Sequence, residues 1–115
     1  MDPMVELAKE LTEAYGPSGF EGQVRDMILA EVKGMADEVR TDALGNLFVL
    51  KKGKDSSKKA MLAAHMDEVG LMVTSIDKSG YRRFDKVGGI DNRVLLAKKV
   101  LVGKDKIPGI IGSKP

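Results

Sequence analysis

The chain carries one histidine and no cysteine, so imidazole and carboxylate groups are the only strong metal ligands it can offer. His65 ends the apolar run Ala60-Met61-Leu62-Ala63-Ala64, and Asp67 follows two residues later. A short continuous apolar run suits a strand buried on both faces. His65 would then emerge at one end of a central strand, the edge where ligands gather in open α/β sheets. Alternation along the extended chain puts the Asp67 side chain on the same side as His65. A carboxylate that accepts from one ring nitrogen fixes the imidazole tautomer and raises the basicity of the other, an arrangement common around zinc. On that reading His65 ligates a metal ion and Asp67 orients it. The spacing also fits a partly buried histidine whose ring proton is satisfied by Asp67 and which binds no metal. Metal sites need three or four ligands, and His-x-Asp supplies one or two. Any others would have to be carboxylates or lie outside this chain.

Other chemistry finds less support. Asp67 and Glu68 are adjacent, so on a strand they point to opposite faces and cannot flank one scissile glycosidic bond. The segment from Lys51 to Lys59 holds five lysines and no apolar residue, which reads as a solvated loop. It lacks the aromatic residues on which single-stranded bases stack, and a net charge of +2 is too small to imply nucleic acid or an anionic membrane. No G-x-x-x-x-G-K-[ST] or G-x-G-x-x-G pattern occurs, so nucleotide binding has no motif to rest on. Ser18 lies in Gly16-Pro17-Ser18-Gly19, where a capping role accounts for it without a nucleophile.

The elements that would position His65 and Asp67 can be read in order. Asp2 followed by Pro3 is a helix N-cap with proline at the first helical position. Met4, Leu7, Ala8, Leu11, Ala14 and Tyr15 recur at helical spacing, and Gly16-Pro17 stops that helix. Ser18-Gly19-Phe20-Glu21 has the capping-box pattern, in which Ser18 and Glu21 satisfy each other's backbone amides. A second stripe of Phe20, Val24, Met27, Ile28, Val32 and Met35 predicts a helix ending near Gly34. Beyond Asp37, Val39 and Leu47-Phe48-Val49-Leu50 suggest strands flanking a turn at Asp42-Ala43-Leu44-Gly45-Asn46. After Gly70 the helical signals stop. Residues 71–76 and 81–84 flank Asp77-Lys78-Ser79-Gly80 as a hairpin, and short strands follow over 99–102 and 107–111. The change near residue 70 from helix-plus-strand to short strands is the expected domain boundary.

With 115 residues the chain is one ordinary domain or pieces of two. Its 43% hydrophobic and 31% charged residues fit a folded core and not disorder. The first residues lack the basic start and apolar run of a secretory signal, and no stretch approaches the ~20 apolar residues that span a bilayer. The expectation is a cytoplasmic protein with no membrane and no nucleic-acid partner. The β-rich end has about 45 residues, near the size at which domains are marginal without partners, and it stops directly after an apolar strand. That pattern suggests truncation.

Four strings together carry a resemblance. They are Gly16-Pro17-Ser18-Gly19-Phe20-Glu21, Asp42-Ala43-Leu44-Gly45-Asn46, Ala63-Ala64-His65-Met66-Asp67-Glu68-Val69-Gly70 and Gly109-Ile110-Ile111-Gly112-Ser113-Lys114-Pro115. In this order the chain resembles the tetrahedral aminopeptidases, the family of glutamyl and deblocking aminopeptidases, and His-Met-Asp-Glu-Val-Gly is the most specific match.

The resemblance implies an α/β fold: residues 1–69 as the N-terminal part of a zinc-peptidase-like α/β domain, and residues 70–115 as the opening strands of an inserted β-barrel that helps subunits associate. It implies a metal-dependent aminopeptidase that uses two divalent ions, zinc or cobalt, to release N-terminal residues from short peptides, and a homo-oligomer when complete. His65 matches the histidine that holds one metal, and Asp67 matches the residue that orients it. The family's bridging aspartate, glutamate base, other acidic ligands and last histidine come from later sequence and have no counterpart here. The chain is then the beginning of such an enzyme, cut inside the barrel, with at most one partial metal site and no activity alone. A non-catalytic oligomerisation module derived from such an enzyme is the alternative, and a small α/β protein with a purely structural His65 is a third reading.

Overall fold

Asp2 caps the first helix, its carboxylate accepting from the Met4 amide at 2.9 Å, and Pro3 occupies the first helical turn, where a missing N–H costs nothing. The computed structural model describes residues 2–113. Helix α1 runs over Pro3–Glu13 and helix α2 over Gly22–Val32. Strands β1 (Glu38–Thr41) and β2 (Leu47–Leu50) pair antiparallel, with Arg40 opposite Phe48. The Arg40 guanidinium lies 3.8 Å from the centroid of the Phe48 ring, a cation–π contact that reinforces the register. The chain is mixed α/β and divides into two compact units, Met1–Gly70 and Leu71–Pro115.

In the first unit α2 packs on β2, and Arg25 reaches the Gly45 carbonyl at 3.4 Å, tying that helix to the β1–β2 turn. Asp42 organises the turn. Its Oδ1 accepts from the amides of Leu44 and Asn46, at 3.0 and 2.9 Å, and its Oδ2 accepts from the Asn46 side chain at 2.9 Å. Ala14 and Val24 are the buried apolar residues here. Between the two helices runs the segment 14–21, which turns sharply at Pro17–Phe20. The Phe20 amide donates to the Pro17 carbonyl at 2.8 Å, and Gly19 takes φ 83°, as the third position of a type II turn demands.

Two expectations are corrected here. Ser18 and Glu21 do not form a capping box: Glu21 is itself the N-cap of α2 and makes no capping bond with its side chain. Its carboxylate accepts instead from the Gly19 amide, and the Ser18 hydroxyl is directed to a residue far along the chain. The helix starts later than the pattern predicts because the Gly19 turn takes up the intervening residues. The apolar run Ala60–Ala64 is not a buried strand either. It has no strand hydrogen bonding, and Met61 and Leu62 are 89% and 99% exposed. A central strand needs a neighbour on each side, and β1 and β2 pair with each other alone.

The second unit is built of hairpins. Strands β3 (Gly70–Ile76) and β4 (Arg82–Val87) form one two-stranded sheet, joined at a turn in which Asp77 Oδ1 accepts from the Ser79 and Tyr81 amides. A short 3-10 turn at Asn92–Val94 follows, capped by Asp91. Strands β5 (Lys99–Val102) and β6 (Ile107–Ile110) pair antiparallel. Ile111 is buried, and its amide and carbonyl bond Lys98 and Ala97. Among the described residues no helix is long and apolar enough to cross a membrane.

Two predictions follow from the first unit. A Cβ on Gly16 would sit 2.7 Å from the buried Val24 side chain and 3.4 Å from the Met66 carbonyl oxygen. Gly16→Ala is therefore expected to lower stability by about 1–3 kcal/mol through overpacking, measured by urea unfolding. The Asn46 side chain, aided by the backbone amides of the turn, holds the Asp42 carboxyl below its ordinary value of 3.8. A depressed folded-state value stabilises above the unfolded one and is lost as pH falls through the folded value. Protection of the Asn46 amide against hydrogen exchange should accordingly weaken as the solution is acidified below pH 3.8, and Asp42→Ala should abolish that dependence.

Candidate metal-ligand site

The segment that carries His65 and Asp67 is held by the loop between the two helices. The Glu68 amide donates to the Gly16 carbonyl at 2.9 Å, and the Ser18 amide donates to the Glu68 carbonyl at 3.3 Å. These bonds make a single parallel bridge between Pro17 and Glu68. Val24 on α2 packs beneath Gly16, so the loop rests on a helix. Three consecutive residues, Gly16 to Ser18, make the bridge.

On that support Asp67 becomes a junction. Its Oδ2 accepts from the Ser18 hydroxyl at 2.5 Å, and its Oδ1 lies 3.0 Å from His65 Nδ1. The Asp67 main-chain carbonyl lies 2.9 Å from the same nitrogen. The Ser18 hydroxyl, with a smaller contribution from His65, holds the Asp67 carboxyl below its ordinary value against the opposing effect of desolvation. The charged form is therefore the one present at neutral pH.

The two contacts at Nδ1 decide the tautomer. A carbonyl oxygen and an ionised carboxylate can only accept hydrogen bonds. Nδ1 must therefore carry the ring proton, which leaves a lone pair on Nε2 in the neutral imidazole. The His65 side chain is 85% exposed, so that lone pair faces no packed core. The structure thus brings together the two residues that spacing singled out, although the strand expected to carry them is not formed. Ser18 was not expected at this place. It is 49 residues from Asp67, and no local pattern signals a contact over that separation.

These donors fit one ligand position of a divalent ion. Neutral imidazole with Nδ1–H bound to a carboxylate is the form in which histidine binds metals. Among the described residues, no group of three or more His, Cys, Asp or Glu gathers into a fuller site. A cavity of about 200 Å³ is lined by Leu11, Ala14, Gly16, Val24, Met66 and Asp67, among others. That is below the ~300–1,000 Å³ usual for ligand pockets. Glu68 is exposed, and both Asp67 oxygens are engaged, which leaves no free carboxylate pair.

Comparison with known proteins adds a second line of observation. Residues 45–115 match the model of the M42 glutamyl aminopeptidase family. The lysyl aminopeptidase of Pyrococcus furiosus is 42% identical over 113 residues, covering 96% of this chain and 32% of that protein. A crystal structure described as an endoglucanase from Thermotoga maritima superposes with a TM-score of 0.87 at 50% identity, over 93% of this chain and 34% of that one. The TET1 peptidase of Pyrococcus horikoshii, described as able to assemble into a tetrahedron or a large octahedral shell, gives a TM-score of 0.82 at 41% identity, over 97% and 34%. The chain thus spans about a third of the length of the proteins it matches. Matched over more than half its residues by the family model, and nearly end to end by a lysyl aminopeptidase, this chain belongs to the M42 glutamyl aminopeptidase family.

Proposed function

We propose that the chain supplies the histidine end of a metal-dependent aminopeptidase centre. His65 holds one of two divalent ions, zinc or cobalt, through Nε2, and Asp67 fixes the ring. The observation that carries the reading is that His65 Nδ1 lies 2.9 Å from the Asp67 carbonyl and 3.0 Å from its Oδ1, two acceptors that call for a proton on Nδ1 and leave an exposed Nε2 free to ligate. Membership of an aminopeptidase family supports the reaction class, and we assign short peptides as the substrates from which N-terminal residues are released.

A dinuclear centre, when bound, polarises the scissile carbonyl and lowers the pKa of a water at neutral pH. The residues of this chain act around that chemistry. The Asp67 carboxylate accepts a hydrogen bond from the Nδ1–H group and prevents the ring from turning its protonated nitrogen toward the ion. The loop Gly16–Ser18 holds Glu68 by main-chain bonds and Asp67 by the Ser18 hydroxyl, so the ligand is mounted on a supported segment and not on a free loop. One imidazole cannot hold two cations, and the remaining ligands are assigned to the part of the family's length that this chain does not span.

In this reading residues 1–69 belong to the α/β metallopeptidase domain and residues 70–115 open an inserted β-barrel through which copies associate. The capacity of the Pyrococcus horikoshii relative to form shells supports a homo-oligomer. A cysteine-free sequence suits a reducing compartment, and we take the cytoplasm as the place of action.

The pure 115-residue chain is expected to release no amino acids from peptides with or without Zn²⁺ or Co²⁺; robust metal-dependent release would overturn the assignment of the other ligands elsewhere. Joined to the remaining two-thirds of the lysyl aminopeptidase, the chain is expected to give a metal-dependent aminopeptidase. In that chimera His65→Ala should lower kcat/KM by at least ~100-fold, the upper end of what loss of supporting residues alone produces around metals. A folded chimera whose activity is indifferent to His65→Ala sinks the proposal.

A further inference from the structure

Ser18 has no part in the helix cap that its surroundings suggested, and among the described residues its hydroxyl donates to Asp67 Oδ2. We propose that Ser18 is a positioning residue that locks His65 in the Nδ1–H tautomer by clamping the Asp67 carboxylate. The inference rests on the reading of His65 as a metal ligand for its purpose, but not for its geometry.

Asp67 has one carboxylate to share between two partners. With Oδ2 held by the Ser18 hydroxyl, rotation about the Cβ–Cγ bond is blocked, and Oδ1 stays 3.0 Å from His65 Nδ1. Without the hydroxyl, the carboxylate is free to turn toward solvent, since the Asp67 side chain is 39% exposed. Its hold on the ring then weakens. The Asp67 carbonyl, 2.9 Å from Nδ1, would remain as a partial anchor, so the effect is graded and not total. Ser18 is itself well placed to be rigid. Its amide donates to the Glu68 carbonyl, it follows Pro17, whose φ is fixed by its ring, and it precedes the Gly19 turn. A serine on such a turn carries its hydroxyl at a set distance from the segment it grips. The bond spans 49 residues, so it joins the interhelical loop directly to the segment bearing the ligand.

The single histidine makes the test unambiguous. In the metal-free, ¹⁵N-labelled chain, long-range ¹H–¹⁵N correlation at a pH well above the ordinary histidine range of about 6.5 reads the two ring nitrogens of His65. The wild-type chain is expected to show Nδ1–H as the dominant form. In Ser18→Ala the ratio of Nδ1–H to Nε2–H should fall on the order of fivefold, as expected for the loss of one net hydrogen bond. Ser18→Thr, which restores a hydroxyl, should recover the wild-type ratio. Ser18→Cys keeps the volume with only a weak donor and should shift the ratio as alanine does, which preserves the test if Ser18→Ala does not fold. A merely structural role for Ser18 would alter amide dispersion without moving the tautomer ratio in a folded variant. The proposal is overturned if Ser18→Ala or Ser18→Cys, with wild-type amide dispersion, keeps the wild-type ratio, or if the wild-type chain is itself mostly Nε2–H. Because no metal is present, failure here is distinct from failure of the peptidase reading, which the chimera decides.

Discussion

The parallel bridge between Pro17 and Glu68 is the contact on which the site depends. Two main-chain hydrogen bonds, from Glu68 to Gly16 and from Ser18 to Glu68, fix where Asp67 lies, and Asp67 fixes the face His65 presents. Neither His65 nor Asp67 sits in a strand or helix. Without the bridge the Ser18–Asp67 side-chain bond would have to hold their segment, and ordering a backbone residue costs about 1–2 kcal/mol of entropy. Burial of Ala14 and Val24, with Gly16 lying against Val24, seats the loop and so indirectly seats the histidine.

How legible this was differs from one element to the next. The first helix could be read from Asp2, Pro3 and its apolar spacing because a cap and a helical period are local signals, and the turn at Asp42–Asn46 for the same reason. The hairpins of the second unit were marked by Asp77-Lys78-Ser79-Gly80 and by the β-branched residues of 99–102. The His65–Asp67 pair could be anticipated because two residues of extended chain put side chains on one side whether or not a sheet surrounds them. Ser18 could not be placed. The string Ser18-Gly19-Phe20-Glu21 fits a capping box as well as it fits a turn, and only the tertiary contact with Asp67 decides between them. The run Ala60–Ala64 was read as buried because composition reports affinity for a core. Composition does not report whether neighbouring strands are there to form one.

Carboxylates do much of the local work. Asp2, Asp42, Asp77 and Asp91 each accept from an amide two residues ahead, a short-range pattern that starts helices and closes turns. Asp67 differs from these four. Its side chain reaches across the fold to Ser18 and back to His65, so the same residue type that elsewhere shapes the backbone here shapes a side chain's protonation. That difference separates the candidate site from the surrounding turns more sharply than charge or exposure does.

The exposed apolar run at Ala60–Ala64 has a consequence for how the chain behaves in concentrated solution. An extended segment whose amides and carbonyls lack strand partners is a template for pairing with another chain. It is preceded by Lys51, Lys52, Lys54, Lys58 and Lys59, and clustered positive charge beside a sticky stretch acts as a gatekeeper, because stacking two such segments would bring like charges together. The lysine loop thus acquires a protective part that needs no ligand. Neutralising it by acetylation or by screening with salt would remove the repulsion that keeps these runs apart.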